Sequence, residues 1–170
     1  MSYVDSTLAT FGQMLGTLAH LVGKAESSGK SGLLEARLAP DMFPLATQVR
    51  IATYQVLNTL NRLANAGIAP DETDPASFAE MQAMVAKAQA AVKATSATSF
   101  VAPDAPVEFD IPNGMEFALT AEEYVRDWSI AQLYFHVTAF YAILRAQGIE
   151  LGKADFVSYM MRHLKAPATA

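Results

Sequence analysis

The chain has 170 residues and a mass of 18.3 kDa, with 52% hydrophobic and 17% charged residues. That balance fits one compact domain over residues 1–170 with a sizeable core, and it excludes disorder as the default. Twelve Lys and Arg against 17 Asp and Glu give a net charge of -5, so no positive field draws phosphate backbones, and nucleic acid is not an expected partner. The absence of Cys removes disulfides, thiolate nucleophiles, Cys-ligated zinc and iron–sulfur clusters.

Met1 to Asp5 lacks a basic start followed by an apolar run, so no secretory signal is read and a cytoplasmic location is expected. From Asp5 to about Lys24, the residues Leu8, Phe11, Leu15, Leu18 and Val22 recur at spacings of three and four, which predicts a first long amphipathic helix. Gly12, Gly16, Ala19 and Gly23 lie along it, and such small residues predict a second helix packed closely there. A polar break, Glu26 to Gly32, leads to a predicted short helical piece from Leu33 to Leu38. A second long helix is predicted from about Pro44 to Ala66, with Gly67 as its stop. Asp74 is expected to cap a third helix, carrying Phe78, Met81, Val85, Ala88 and Val92, with Pro75 in its first turn.

Between Pro106 and Leu119 the period changes to two. Val107, Phe109 and Ile111 are mirrored by Met115, Phe117 and Leu119 about Asn113-Gly114, which predicts a β-hairpin with positive φ at both turn residues. Alone in water such a hairpin is unstable, so it is expected to cover the helices. Thr120 with Glu123 forms a capping box opening a fourth long helix. Its stretch from Trp128 to Leu144 is the most apolar in the chain, yet Ser129, Gln132, His136 and Thr138 make it too polar for a bilayer span, and no membrane partner is expected. A short helix from about Lys153 to Leu164 and a frayed tail, Ala166 to Ala170, complete the chain. The expected class is all-α: four long helices with an inserted hairpin.

Gly29-Lys30-Ser31 fails as a P-loop, because the position five before Gly29 is Lys24. His20 is read as a solvated surface residue, and His163 as a charge suited to the end of the last helix. His136 differs, lying mid-way along the most apolar helix. Ser129, Gln132 and His136 fall on one face at spacings of three and four, and burying them unpaired would cost about 1–3 kcal/mol each. Thr47, Arg50, Tyr54 and Asn58 form a comparable seam on the second helix. The two seams therefore meet as an internal hydrogen-bond network or line a ligand pocket. A metal site needs several convergent ligands, and one turn from His136 stand only Gln132, Leu133, Ala139 and Phe140.

Arg37-Leu-Ala-Pro-Asp-Met-Phe-Pro-Leu45 with Gln48-Val49, then Tyr134-Phe-His-Val-Thr138 with Tyr141-Ala-Ile-Leu-Arg145, Gly148, Gly152-Lys153 and Asp155-Phe156, resemble a bacterial uncharacterised-domain branch of the DinB/YfiT-like helical-bundle superfamily. The resemblance implies an up-and-down four-helix bundle, often a homodimer. It also implies, for many members, a divalent metal held by one His on the second helix and an HxxxH pair on the last, or a thiol cofactor such as bacillithiol or mycothiol. Only His136 matches a ligand position. Tyr54 stands where a facing second-helix ligand would be, and Ala131-Gln132-Leu133 replaces the usual Pro-Asn-Phe.

No cofactor or metal is therefore expected. The leading expectation is a small-ligand pocket bounded by His136, Gln132, Tyr54 and Gln48, with Arg37 and Asp41 near its mouth, where His136 would be the acid or base and Arg37 an anion anchor. A purely structural reading makes Arg37 and Asp41 a loop-fixing ion pair and Gln48 a helix-to-loop hydrogen bond. The alternatives are a divalent-metal or thiol-dependent transferase, and a non-catalytic dimeric interaction protein with the aromatic-rich helix at its interface.

Overall fold

The computed structural model describes residues 2–165, so the predicted frayed tail lies outside the described residues. Helix α1 (Tyr3–Ser27) begins two residues before the periodic stretch. The Ser2 hydroxyl accepts the Asp5 N–H, and the Asp5 carboxylate accepts the Ser2 N–H, a capping box that leaves fewer orphan donors.

Leu33 to Leu38 is a set of turns, in place of the predicted helical piece. Pro40 disfavours helical backbone at the residue before it, and the segment's carbonyls are used elsewhere. Those of Ala36 and Leu34 accept the N–H groups of Leu45 (2.9 Å) and Ala46 (3.1 Å). The loop backbone thus caps α2 (Leu45–Ala64), whose N-cap residue, Pro44, makes no side-chain cap. The α2 stop is Asn65, which takes the left-handed conformation at φ 50; Gly67, the predicted stop, lies beyond it. Asparagine tolerates that conformation better than most residues.

Helix α3 (Phe78–Ala94) is capped by Ser77, not by Asp74. The Ser77 hydroxyl accepts the Glu80 N–H at 3.1 Å, and the Glu80 carboxylate accepts the Ala76 N–H at 2.7 Å. Asp74 turns to α2 instead, accepting from the Thr47 hydroxyl (2.5 Å) and from Arg50 Nε (2.6 Å).

Strands β1 (Pro106–Asp110) and β2 (Glu116–Thr120) pair antiparallel with Val107 opposite Leu119 and Phe109 opposite Phe117, the predicted register. The turn differs from the prediction. Gly114 N–H reaches the Ile111 carbonyl at 2.8 Å and Ile111 N–H reaches the Met115 carbonyl at 3.0 Å, and of the turn residues only Gly114 has positive φ. Pro112 favours the first position of a type I turn, which makes a three-residue connection closed by a left-handed glycine. The hairpin covers the start of the fourth helix. Phe109 lies 5.2 Å from Phe117, 5.4 Å from Tyr124 and 5.0 Å from Trp128 between ring centroids, and the Arg62 guanidinium stands 5.6 Å from the Phe109 and Tyr124 rings.

The fourth long helix has three parts: α4 (Ala121–Glu123), opened by the Thr120–Glu123 box, a π-helical turn over Tyr124–Ser129, and α5 (Ile130–Ala146). In a regular α-helix Tyr124 and Ser129 would point about 140° apart. The i→i+5 bonding of a π turn brings them onto one face, and both are buried. Gly148, at φ 74, follows the last turn.

The predicted closing helix is broken at Val157 into α6 (Lys153–Phe156) and tighter 3-10 turns over Ser158–His163. This piece lies along α1, where the Thr17 hydroxyl donates to the Phe156 carbonyl and His20 pairs with Asp155 at 2.9 Å. Nothing comes within 4 Å of a Cβ built on Gly12 or Gly16, and Gly23 meets only the Gln82 side chain at 3.8 Å. The expected close helix contact is therefore missing at the first two glycines.

Around the bundle, α1 packs on α3 and α5, while α2 packs on α5 and α3, so α1 and α2 hold opposite corners. Phe11, Leu15, Val56, Leu60, Val85, Phe140 and Ile143 fill the space between them with no exposed surface. The all-α class with one small hairpin is the observed architecture. Among the described residues no helix is long and apolar enough to cross a membrane.

Candidate functional site

Two faces of polar side chains meet inside this apolar bundle, and they differ in part from the seams read in the sequence. On the fourth helix Ser129 and His136 are buried as expected. Their α2 partners are Thr59 and Gln48, each next to a predicted residue: Asn58 and Thr47 face elsewhere. Thr59 meets Ser129 at 2.6 Å between hydroxyl oxygens, and Gln55 Nε2 reaches the Tyr124 hydroxyl at a long 3.5 Å. Gln48, Gln55 and Thr59 repeat at seven and four, the spacing of one helix face. Thr47 and Arg50, of the predicted seam, bind Asp74 instead.

His136 is 5% exposed, and its Nδ1 lies 2.8 Å from Gln48 Oε1. The Gln48 amide is oriented by its other end, where Nε2 donates to the Phe43 carbonyl at 2.9 Å. A carbonyl can only accept, so Oε1 must face the imidazole, and Nδ1 must carry the proton. Nε2 is then the deprotonated nitrogen. It makes no hydrogen bond within the described residues, and no buried side-chain nitrogen or oxygen among them lacks a partner, so this lone pair opens to solvent. Burial, reinforced by the positive charge of Arg50, pushes the imidazole down to about 4. The ring is accordingly neutral at pH 7, with a fixed tautomer and an acceptor free for another molecule.

His136 borders a cavity of about 290 Å³ lined also by Asp41, Met42, Phe43, Gln48, Gln132 and Phe135. Four of the six residues singled out in the sequence thus converge: His136, Gln132, Gln48 and Asp41. Arg37 does not line it; its guanidinium donates to the Met42 carbonyl at 2.8 Å, which braces the loop from outside. Nor does it pair with Asp41, which has no ion pair or hydrogen bond among the described residues. Tyr54 also lies outside the lining, 38% exposed on another face of α2.

Met42, Phe43 and Phe135 were missed as wall residues. The signal for the first two was present: Pro40 and Pro44 pin a short segment whose apolar Met42 and Phe43 find no place in a helical period. Phe135 adjoins His136 in the chain and is 57% exposed, as Phe43 is 54% exposed, an unusual display for phenylalanine.

The donor set does not fit the three-histidine metal arrangement. One imidazole and one carboxylate border the cavity, and among the described residues no three His, Asp or Glu side chains converge. The larger hollows lie elsewhere: one along the hairpin, lined by Glu108, Phe109, Asp110, Glu116 and Phe117, and one between α1 and the Ser158–His163 turns. Neither contains a group comparable to the buried imidazole.

Residues 3–157 match the family model described as a domain of unknown function, DUF1993, a span that contains every lining residue. Among solved structures the chain is similar to a DinB family member protein from Shewanella denitrificans, at 32% identity over 96% of this chain and 95% of that one, with a TM-score of 0.82. No curated protein matches.

Proposed function

This chain belongs to the DUF1993 family and is a DinB-like protein, and we propose that its cavity over His136 is a small-ligand pocket in which the neutral imidazole receives a hydrogen bond, or a proton, from the ligand. The observation that supports this reading most is the Nε2 lone pair of His136, held in one tautomer by the Gln48 relay to the Phe43 carbonyl and left without a partner at the edge of an apolar-walled cavity. Ligand sites commonly combine apolar walls with a few oriented polar groups. The acid–base role stays with His136, while Arg37, outside the lining with one N–H on the Met42 carbonyl, gives the anion-anchor reading no support.

Nitrogen-15 spectra of the imidazoles test the reading. His136 is expected to show the Nδ1–H tautomer at pH 7, and its Nε2 signal is expected to move on titration with members of a mixed panel of small cationic, neutral and anionic aromatic compounds. His20 and His163, away from the cavity, serve as internal controls. If no compound in the panel moves His136 at millimolar concentration, the pocket reading falls.

A further inference from the structure

The polar groups facing the cavity are unbalanced in a way that specifies a ligand class. Two lining residues carry acceptors with no partner among the described residues: His136, at Nε2, and Asp41, at its carboxylate. The Gln48 amide oxygen faces His136, and one of its two N–H groups goes to the Phe43 carbonyl. The N–H groups left to offer belong to two neutral amides, that of Gln132 and the second N–H of Gln48. Cations lie near the cavity but outside its lining and with partners of their own: Arg50 is held by Asp74 at 2.6 Å, and Arg37 by the Met42 carbonyl.

An anionic ligand entering this space would meet an unpaired carboxylate and only neutral amide donors. An ammonium group meets the reverse, with two acceptors for its three N–H bonds and the exposed faces of Phe43 and Phe135 beside them. The net charge of -5 favours approach of a cation as well. A volume of about 290 Å³ holds one ring or a short alkyl chain and is small for a nucleotide.

We propose that the pocket is selective for small amphipathic primary amines, whose ammonium group bridges Asp41 and His136 Nε2 while its apolar part packs on Met42, Phe43 and Phe135. This rests on the reading of the cavity as a ligand pocket, and the two are separable by experiment.

The probes are a matched set: 2-phenylethylamine, 2-phenylethanol and 3-phenylpropionate, titrated at pH 7.5 into the wild type, Asp41→Asn and His136→Asn. The readouts are backbone amide shifts of the Asp41–Gln48 segment and the imidazole nitrogen shifts. Asp41 is exposed, so its amide variant keeps the fold. An Asn side chain at 136 places its N–H where Nδ1 stood and preserves the Gln48 bond, while removing Nε2. The amine is expected to bind most tightly, to lose about tenfold on Asp41→Asn with the alcohol unaffected, and to lose binding on His136→Asn. Preference for the carboxylate, or equal weakening of amine and alcohol by Asp41→Asn, overturns the amine class while the pocket stands. Silence from all three probes at millimolar concentration overturns both.

Discussion

The Ser129 and Thr59 hydroxyls meet at 2.6 Å in the middle of the bundle, and only one of them can donate. Thr59 already gives its proton to the Gln55 carbonyl at 2.8 Å, so Ser129 is the donor and Thr59 the acceptor. The two substitutions then differ in cost. Ser129→Ala removes a donor and leaves Thr59 bonded to its own helix, which costs less than about 1 kcal/mol. Thr59→Val leaves the buried Ser129 hydroxyl without its acceptor and costs about 1–3 kcal/mol. Denaturant unfolding of the two variants checks the order, and equal losses would show that the assignment of donor and acceptor is wrong.

The buried imidazole makes stability depend on pH with a definite sign. Folding lowers the His136 pKa from 6.5 to about 4, so between those values the unfolded chain binds a proton that the folded chain does not. The contribution is complete above pH 6.5 and disappears as the pH falls towards 4, and it is worth roughly 3 kcal/mol across that window. The charge that acts on the ring, Arg50, works in the same direction as burial, and both favour the neutral imidazole. In His136→Asn the slope of stability against pH between 6.5 and 4.5 is expected to flatten relative to the wild type. Parallel slopes would place the acid sensitivity elsewhere.

Gln48 joins loop to helix, so its loss is felt at both ends. Gln48→Leu leaves the His136 Nδ1–H and the Phe43 carbonyl without the amide that pairs them, at a cost of about 2 kcal/mol or more. It also frees the ring to place its proton on Nε2, where solvent can accept it. The nitrogen-15 pattern of His136 is expected to change tautomer in this variant. A spectrum still showing Nδ1–H would mean that another group sets the proton's position.

Much of this architecture is local and was therefore legible. The Thr120–Glu123 box, the apolar periods of α1 and α3 and the Phe109–Phe117 register depend on neighbours within a few residues or on strict alternation. Asp74 shows where such rules stop. It satisfies the local description of an N-cap, but Thr47 and Arg50 on another helix outbid the Phe78 turn for its carboxylate. The α2 seam failed for a related reason. Adjacent positions on a helix differ by about 100°, and polar residues stand on more than one face of α2, so only the packing decides that Gln48 and Thr59 meet the fourth helix while the buried Thr47 meets Asp74. The π turn was invisible because no residue type specifies it; it follows from fitting Tyr124 and Ser129 to one buried face. Gln132 and His136 were found because a polar residue inside an apolar period is conspicuous, whereas Asp41 and Gln48 stood out only within the family-like stretch from Arg37 to Val49. Tyr54 and Arg37 are equally conspicuous, and the fold sends them elsewhere.

The hairpin turn separates the two geometries its Asn-Gly pair can adopt. A two-residue turn needs positive φ at both positions, whereas here only Gly114 has it, at φ 82. Gly114→Ala is thus expected to cost about 1–2 kcal/mol. Asn113→Ala loses only an exposed bond from the Met115 N–H and costs under about 1 kcal/mol. Trp128, the single tryptophan, lies 5.0 Å from Phe109 and 5.7 Å from Phe117 between ring centroids, so its emission reports whether the hairpin stays seated. Gly114→Ala is expected to shift that emission to the red at a lower temperature than the global loss of helix, because the hairpin's small cluster with Leu63, Val107 and Tyr124 is distinct from the main core. A red shift coincident with helix loss would mean that hairpin and bundle unfold as one unit, and equal penalties at 113 and 114 would restore the two-residue turn.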